Sequence, residues 1–525
     1  MYDVVVVGSG PVGLFLACEL RLAGARPLVL ERLTEPVITD KAHGLTGQVV
    51  RLLDHRGLFE RCGGRGSPVP APGFFFGALP LPLRVLGDDN PMYLLPCYQR
   101  KFERILTERA TELGVEIRRG CDVRSFAQGA AQVDVEVRDQ AGTSTISARY
   151  LVGCDGARSV VRKQMGVAFP GITDDHIVSR SAIIAPSDTF RFTAAGRLVV
   201  AGLGEISPQF HRTERGVFTL APFDPQRPHL TTTEWEDEPA GDSPGSGAPM
   251  TMTEMEDSVE RILGVRPSLA PASGDEPGLL RRLSGCNTRI AERYRAGRVF
   301  LAGDAAHVHS ASGGPGLNLG LQDAANLAWK LAADVQGWAS PGLLDTYESE
   351  RLAIGRRVFM QTQAQTALMA PGGPTTALRE LFGEMLDRVE NVQLVADLMA
   401  GSDVRLDMGD EDPAGPTGRF APNLDLRTAD GRPHRIAEFQ RDGRAVLLDL
   451  IDGGELAAAT SPWTDRVKYV RAAAATTVAP AALLIRPDGY VAWAGIDADG
   501  LRSALARWFG PAELPASRAT DLVEA

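Results

Sequence analysis

Three glycines near the N-terminus have the spacing of a turn that binds phosphate. Gly8, Gly10 and Gly13 follow the apolar run 2–7 and open a segment, 11–22, whose apolar residues recur at helical spacing. In a strand–turn–helix unit the first glycine permits the tight turn, the second lets a pyrophosphate approach the backbone, and the third lets the helix pack on the strand. The helix start adds amide donors and a partial positive charge. The pattern predicts a dinucleotide cradle.

An acidic residue stands where such a cradle needs one. Glu31 ends the next apolar strand, about twenty residues after the turn, where a carboxylate can accept hydrogen bonds from ribose hydroxyls. A carboxylate at this place also disfavours a 2′-phosphate, so the cradle is predicted to hold FAD or NAD rather than NADP. A simple tight turn is the alternative, and the strand, the helix and the acid together argue against it.

A second glycine-rich motif lies nearly three hundred residues later. The apolar run 299–301 leads to Gly303 and Asp304, and the turn 313–316 leads into a helix that begins near Leu317. An aspartate beside a pyrophosphate would be repelled, so the expected partner of Asp304 is a sugar or ribityl hydroxyl. The helix start can face the N1–C2=O edge of an isoalloxazine and stabilise reduced flavin. Alone, this loop could equally cap a core helix. With the first cradle it favours a flavin held at both ends.

The bulk properties limit the other classes of function. The chain has 525 residues, which predicts two or three domains, and its net charge of -11 argues against a nucleic-acid groove. Its six cysteines form no C-x-x-C pair, so neither a metal site nor a redox dithiol is predicted. We find no secretory signal and no apolar run of membrane-spanning length. These features predict a cytoplasmic protein. We expect a monomer or a small homo-oligomer.

The elements that would position these motifs fall into four segments. Residues 1–175 read as the first part of an α/β flavin-binding domain, beginning with a βαβ unit. Residues 176–285 contain short alternating runs typical of antiparallel sheet. Residues 286–400 return to a buried strand and long helices, completing the flavin-binding domain. Residues 401–525 read as a linker rich in Gly, Asp and Pro, followed by a separate small α/β domain.

Three segments of the chain resemble a known family. The turn Gly8–Gly13, the run Cys154–Arg162 and the run Gly303–His307 are similar to the three fingerprints of the FAD-dependent aromatic hydroxylases, the single-component flavin monooxygenases. The resemblance covers residues 1 to about 370. Residues 420–510 resemble the thioredoxin-like C-terminal domain of the bacterial aromatic-polyketide hydroxylases. The implied fold is a Rossmann-like FAD-binding domain with an inserted antiparallel substrate sheet and a thioredoxin-like α/β domain whose role is structural.

The resemblance also implies the cofactor contacts. Arg32 would lie beside the adenine, Lys41 would contact phosphate, and Val123 would contact adenine through its backbone. Gln99 would lie near the phosphate and ribityl chain, and Asp155 near the pyrophosphate. The full predicted set of FAD-binding residues is Gly8, Gly10, Pro11, Val12, Gly13, Glu31, Arg32, Lys41, Gln99, Val123, Asp155, Gly303, Asp304, Gly314, Gly316, Leu317 and Asn318.

The implied reaction consumes NADPH or NADH, which would visit transiently because no second nucleotide cradle is present. Reduced FAD would add O2 at C4a, and the hydroperoxide would hydroxylate a phenolic or polycyclic polyketide ring. Two alternatives stay open: Baeyer–Villiger or other oxidation of a polyketide quinone, and a flavoprotein that binds an antibiotic without turnover. The candidate walls of the substrate site are aromatic: Phe74, Phe75, Phe76, Phe192, Phe218 and Phe223.

Two positions depart from the family pattern. Ala311 stands where many relatives have a proline whose carbonyl lies over the flavin, and Pro315 stands where they have Gln or Lys. A backbone carbonyl survives the change to alanine, whereas the fixed φ angle of proline does not. The backbone of Ala311 and Gly314 is expected near the flavin. No side chain is predicted as a catalytic acid or base, and hydrogen bonding within the protein is the expected role of His307.

Overall fold

A computed structural model gives the fold. It describes residues 1–36, 42–194, 196–221, 224–237, 248–274, 278–310, 314–409, 415–451, 454–474 and 481–512. The mixed α/β architecture contains two large sheets in the first 310 residues and a third near the C-terminus. Within these ranges no helix is both long enough and apolar enough to cross a membrane.

The first sheet has five parallel strands at its centre, and the predicted N-terminal βαβ unit forms its middle. Tyr2–Val7 lies between Gly142–Gly153 and Pro27–Glu31, and the outer strands are Val299–Leu301 and Glu116–Arg119. Val4 to Val6 are fully buried, as expected for a parallel sheet covered on both faces. Helices Pro11–Leu22, Gln99–Glu112 and Pro315–Val335 belong to this domain, and the antiparallel strands Asp122–Gln128, Val133–Asp139 and Arg295–Ala296 extend its sheet.

The second sheet is antiparallel and contains the segment predicted as short alternating strands. Its long central strand, Gly171–Ile183, pairs with His229–Trp235 on one side and Leu280–Ile290 on the other. Helix Met252–Leu263 packs on one face of it. The remaining strands of this sheet are His211–Thr213, Gly216–Ala221 and His307–Val308, and a separate small sheet contains Phe190–Phe192, Leu198–Val200 and Gly204–Ile206.

The described chain also contains further helices and two small two-stranded sheets. The helices are Gln48–His55, Val160–Gln164, Asp345–Met369, Gly373–Met385 and Val389–Ala400, and the two-stranded sheets pair Gly44–Thr46 with Leu94–Pro96 and Phe74–Phe76 with Leu79–Leu81.

The C-terminal sheet has a parallel pair at its centre. Ala445–Asp449 runs parallel to Val467–Ala474 and antiparallel to Ala482–Ile485, which pairs with Val491–Ala494. Asp425–Thr428 and Pro433–Arg435 extend the sheet beyond Val467–Ala474, and the helices are Gly454–Thr460 and Ala498–Phe509. Its buried face shares an apolar cluster with helix Pro315–Val335, so the C-terminal sheet packs directly on that helix.

Candidate functional site

The N-terminal turn has the geometry that its glycines predict. Gly8 has φ +104°, and a Cβ there would lie 2.5 Å from the carbonyl oxygen of Cys154. A Cβ at Gly13 would lie 2.0 Å from the carbonyl oxygen of Gly8, so only glycine allows the helix to pack this close. At Gly10 a Cβ would meet no heavy atom within 4 Å apart from its chain neighbours. No side chain caps the helix that starts at Pro11, which leaves its first amides free to bind an anion.

The side chain of Glu31 lies beside this turn and also forms hydrogen bonds with it. One carboxylate oxygen accepts hydrogen bonds from the amide of Ser9 at 2.8 Å and from its hydroxyl at 3.1 Å. The other accepts from the amide of Leu33 at 3.0 Å. The oxygen that bonds Leu33 can accept a second hydrogen bond, so Glu31 can still take a ribose hydroxyl. The sequence did not reveal the contact with Ser9.

The middle fingerprint lies against the first one. The Cα of Asp155 is 3.2 Å from the place where a Cβ on Gly8 would be, and the amide of Cys154 donates to Val7. Asp155 accepts from the amides of Val160 and Val161, which fixes the following helix. Arg162 donates to the carbonyl groups of Ala305 and Ala157 at 2.8 Å, and so joins the middle fingerprint to the third.

The third fingerprint packs on the first helix. Gly303 has φ +61°, and a Cβ there would lie 3.0 Å from the side chain of Val12. A Cβ on Gly320 would be 2.7 Å from the same side chain. Asp304 is exposed and has no hydrogen-bond partner in the described part of the chain, and its Oδ1 lies 4.0 Å from the place of a Cβ on Gly316. The carboxylate is therefore free to accept from a ligand hydroxyl beside the helix start.

The start of helix Pro315–Val335 leaves room for a ligand to approach its backbone closely. Gly314 adopts the left-handed conformation, no side chain caps the helix, and a Cβ on Gly314 would meet nothing within 4 Å. Leu317 packs against the main core, and Asn318 is 6 % exposed. Asn318 accepts from the amide of Thr46 at 3.0 Å and donates to the Thr46 hydroxyl at 2.9 Å and to the Gly314 carbonyl at 2.7 Å. Sequence reasoning missed Thr46, because no local pattern links it to this helix.

A buried network of charged side chains forms hydrogen bonds with the third fingerprint. Asp323 accepts from the amide of Gly303 at 3.1 Å, from the His307 ring at 2.6 Å and from Arg351 at 2.7 Å. Burial would raise the pKa of Asp323, but the contacts with His307 and Arg351 outweigh it and bring the pKa to about 2. His307 thus bonds within the protein, as predicted from the sequence. Asp323 and Arg351 were not predicted.

The other predicted cofactor residues lie around the edge of this assembly. Gln99 begins its helix, where its amide donates to Ala42 and its side chain donates to Glu103 at 2.7 Å. Arg32 is exposed, and Val123 is buried in the strand beyond Cys121, whose amide donates to the Glu31 carbonyl. Lys41 and Ala311 lie outside the described residues.

The second sheet presents two different faces. Leu230, Thr232 and Glu234 point toward helix Met252–Leu263, where Ser258 bonds Thr232 and Glu234. The alternate residues lie on the opposite face, which we call the inner face: His229, Thr231, Thr233 and Trp235 on this strand, with Ser179 and Ser181 beside them. The ring centroids of His229 and His43 are 4.2 Å apart, so the inner face meets the segment that leads into strand Gly44–Thr46.

This arrangement corrects part of the predicted aromatic wall. Phe218 is fully buried and, like Phe192, packs in the cluster between the sheet and helix Met252–Leu263, because alternation along the strand turns it away from the inner face. Phe76 is buried and stacks on Phe382. Phe75 packs against Phe210, with the centroids of the two rings 5.4 Å apart. Phe74 packs in part on the same cluster as Phe76, and Phe223 lies outside the described residues.

The described residues fit FAD. Open space lies beside Gly10, Gly156 and Gly314, one in each of three segments that the fold brings together, and a Cβ on any of them would meet no other heavy atom within 4 Å. Two uncapped helix starts offer amide donors, one for a pyrophosphate and one for an electron-rich ring edge. Glu31 and the free Asp304 offer acceptors for hydroxyl groups.

Comparison with known proteins agrees with this geometry. Residues 1–362 match the family described as FAD binding domain, and residues 414–512 match the family described as aromatic-ring hydroxylase, C-terminal. The chain belongs to the FAD-dependent aromatic-ring hydroxylases. FAD is the cofactor of this family, and the chain is an FAD-dependent monooxygenase, as its resemblance predicts.

Two curated relatives and one solved structure illustrate the likeness of this aromatic-ring hydroxylase to others. It is 41% identical to the 12-dehydrotetracycline 5-monooxygenase/anhydrotetracycline 6-monooxygenase of Streptomyces rimosus, over 97% of this chain and 99% of the relative. It is 39% identical to the rifampicin monooxygenase of Streptomyces venezuelae, over 98% and 99%. The structure of OxyS anhydrotetracycline hydroxylase from Streptomyces rimosus superposes with a TM-score of 0.82 at 39% identity, covering 97% of this chain and 99% of that one.

Proposed function

We propose that this enzyme uses NADPH or NADH and O2 to hydroxylate an aromatic ring of a polycyclic polyketide. The observation that carries the proposal is the uncapped start of helix Pro315–Val335, which stands beside the free carboxylate of Asp304 and opens toward unfilled space. When bound, FAD supplies the transfer of electrons from the nicotinamide and of one oxygen atom from O2 to the substrate.

In this proposal the chain itself binds and orients the cofactor. The turn at Gly8, Gly10 and Gly13 takes the pyrophosphate, with Pro11, Val12 and Asp155 around it, and Glu31 takes the adenosine ribose. Arg32, Lys41, Gln99 and Val123 serve the adenine and phosphate end, as the family resemblance implies. Gly303, Asp304, Gly314, Gly316, Leu317 and Asn318 serve the ribityl chain and the flavin ring.

The helix start has a direct electrostatic role in the proposal. Its unsatisfied amides and partial positive charge stabilise negative charge on a reduced ring held in front of them. The network of Asp323, His307 and Arg351 keeps the Gly303 turn rigid, because all three side chains are buried and hydrogen-bonded. Placing the ring between this helix start and the inner face would exclude water from the reacting atoms.

The substrate class rests on the relatives. Tetracycline-type and rifampicin substrates, named for two of them, are oxygenated polyketides. We extend the class, and not either compound, to this chain. A small aromatic substrate, NAD(P)H and O2 are then its partners, without nucleic acid or membrane.

The domain organisation follows the same proposal. Residues 1–175 and 286–400 form the FAD-binding domain, residues 176–285 the substrate sheet, and residues 401–525 a linker and a thioredoxin-like domain. The strand order of the C-terminal sheet supports the last assignment, since a parallel central pair is followed by an antiparallel hairpin and a final helix. The domain has no C-x-x-C, so its role is structural.

The test is turnover of the purified holoenzyme under ¹⁸O2. Anhydrotetracycline is the first probe, followed by other polycyclic phenols, with NADPH and NADH in separate reactions. We expect NAD(P)H oxidation that the phenol accelerates, and a product that has gained one ¹⁸O atom with its rings intact. A product with an opened or expanded ring would favour Baeyer–Villiger oxidation. Tight binding of a probe without flavin bleaching by NAD(P)H would favour a binding protein.

A further inference from the structure

Two neighbouring arginines of the second sheet have different surroundings. Arg282 points to the helix side, where it pairs with Glu254 at 2.8 Å. Arg281 lies opposite Ser181 and therefore on the inner face. It is half-buried, has no carboxylate within ion-pairing distance in the described part of the chain, and its Nε has no hydrogen-bond partner there. Burial lowers the pKa of Arg281, which means that its charge is only partly solvated.

On the other face of the sheet, which packs against helix Met252–Leu263, the arginine side chains are paired with carboxylates. Arg180 alone contacts Glu234, Glu236 and Glu254, at 2.8, 2.7 and 2.9 Å. Among the described residues, these carboxylates lie on the helix side of the sheet, and none lies within ion-pairing distance of Arg281. A half-buried guanidinium without a partner costs free energy, and a bound anion would remove that cost.

A second unsatisfied nitrogen lies in the same corner. His229 is 6 % exposed, and its Nε2 has no hydrogen-bond partner within the described ranges. Burial, with the nearby His43 and Arg281, lowers its pKa to about 3, so the ring is neutral. Next to His229 along the inner face, hydroxyls form two cross-strand pairs, Ser181 with Thr231 at 3.3 Å and Ser179 with Thr233 at 3.0 Å.

This corner adjoins the flavin end of the site. His43, which contacts His229, precedes the strand Gly44–Thr46, and Thr46 bonds Asn318 at the start of the flavin helix. A ring held in front of that helix would therefore have Arg281 and the hydroxyl pairs along one edge.

We propose that Arg281 binds an acidic oxygen of the substrate, a phenolate or the enolate of a 1,3-dicarbonyl group, while His229 and the hydroxyls of Ser181 and Thr231 position the oxygen substituents next to it. This inference rests on the proposed function, because it takes an oxygenated polycycle as the ligand of the inner face. Arg281 is then a specificity-determining residue, since it selects rings with an ionisable oxygen at one edge.

The test compares two probes on the FAD-loaded enzyme. They are 2-hydroxyanthraquinone, whose phenol ionises in mildly alkaline buffer, and 2-methoxyanthraquinone, which has no acidic proton. Their Kd values are read from the change in flavin absorbance for the wild type, Arg281→Met and Arg281→Lys. Arg191→Met removes a charge from an exposed position of the same domain and is the matched control.

We expect the wild type and Arg191→Met to prefer the hydroxy probe at least tenfold. Arg281→Met should lose that preference, because its affinity falls for the hydroxy probe alone. Arg281→Lys should retain part of the preference. An equal effect on both probes, an unchanged preference, or a wild type that binds neither probe would overturn the proposal. So would a loss confined to the KM for NAD(P)H, which would assign Arg281 to the dinucleotide. Product formation under ¹⁸O2 tests the monooxygenase function separately from all these outcomes.

Discussion

Asn318 and Thr46 are 272 residues apart in the chain and share two hydrogen bonds, one to the Thr46 amide and one to its hydroxyl. The first turn of the flavin helix is thereby fixed to the strand that leads away from His43. Asn318 also donates to Gly314, the residue that caps this helix in the left-handed conformation. One buried amide group therefore sets the position of the helix start that we assign to the flavin ring.

Replacing Asn318 by alanine should weaken FAD binding. The change leaves the Thr46 amide and the Gly314 carbonyl without partners, at a cost of about 1–3 kcal/mol for each buried group left unsatisfied. We expect the Kd for FAD, measured by titration of the apoprotein, to rise at least tenfold. Thr46→Val, which keeps the amide but removes the hydroxyl, should have a smaller effect.

Asn391→Ala is the control for this change, because Asn391 donates to the Met385 carbonyl on an exposed helix. It should leave the FAD affinity unchanged. If Asn318→Ala bound FAD as tightly as Asn391→Ala, the helix start would not be a cofactor contact.

Gly10 allows a test of the phosphate cradle by a substitution that should leave the fold unchanged. Its φ of -69° suits any residue, and a Cβ would meet no protein atom within 4 Å except its chain neighbours. Gly10→Ala should therefore fold with wild-type stability and yet lose FAD, because the methyl group occupies the place of the pyrophosphate. We expect at least a tenfold rise in the Kd for FAD, or about 1.4 kcal/mol.

The matched variant is Gly383→Ala, which adds the same methyl group to an exposed helix with open space around it. It should retain FAD. Gly8→Ala should instead fail to fold properly, because its Cβ would overlap the Cys154 carbonyl. Full FAD occupancy in Gly10→Ala would argue that the pyrophosphate lies elsewhere.

Local periodicity was sufficient to predict the N-terminal βαβ unit. The strand 2–7 and the helix 11–22 have the predicted bounds, and the apolar run 299–301 forms the strand Val299–Leu301. Glycine spacing likewise indicated which positions need a tight turn, since Gly8 and Gly13 are limited by neighbouring backbone. These features depend on residues close in sequence, which a single chain reveals.

Contacts between distant segments could not be predicted in the same way. Burial of Phe218 follows from its strand pattern, but the face it occupies depends on where helix Met252–Leu263 packs. The partners of Asp323 come from two other segments, and only folding brings Arg351 and Gly303 to it. Arg281 looks no different from Arg282 in the sequence, because the pairing register alone decides which of them has a carboxylate.

The C-terminal domain should stabilise the flavin domain through one buried network. Arg486, which is fully buried, contacts Glu350 at 2.8 Å and also pairs with Asp488, while Lys330 contacts Glu350 at 2.8 Å. Removing one partner leaves the other charges uncompensated in the interior, so Arg486→Met should lower the free energy of unfolding by about 3–5 kcal/mol. Urea denaturation of the holoenzyme measures this change.

Arg502→Met is the comparison, because its pair with Asp499 is exposed to solvent on a helix of the same domain. Its effect should stay below about 0.5 kcal/mol. An Arg486→Met midpoint close to that of Arg502→Met would show that the interface network adds no net stability.

Two buried histidines should make the protein sensitive to mild acid. Burial lowers the pKa of His229 and of His309 to about 3, whereas the unfolded chain has the ordinary value near 6.5. Between these values the unfolded state binds more protons than the folded state, so stability is complete above pH 6.5 and falls as the pH drops toward 3. At pH 5 the loss is about 2 kcal/mol for each histidine. Asp323, with a pKa of about 2, stays ionised across this window and adds no slope until the pH falls below about 4.

The melting temperature of the holoenzyme at pH 7.5 and pH 5.0 measures this effect. His229→Phe keeps a ring against His43 but cannot take up a proton, so it should reduce the difference between the two melting temperatures. A double variant with His309→Phe should reduce it further. If both variants kept the wild-type difference, the acid sensitivity would come from other groups, and His229 would be no more difficult to protonate in the folded protein than in the unfolded chain.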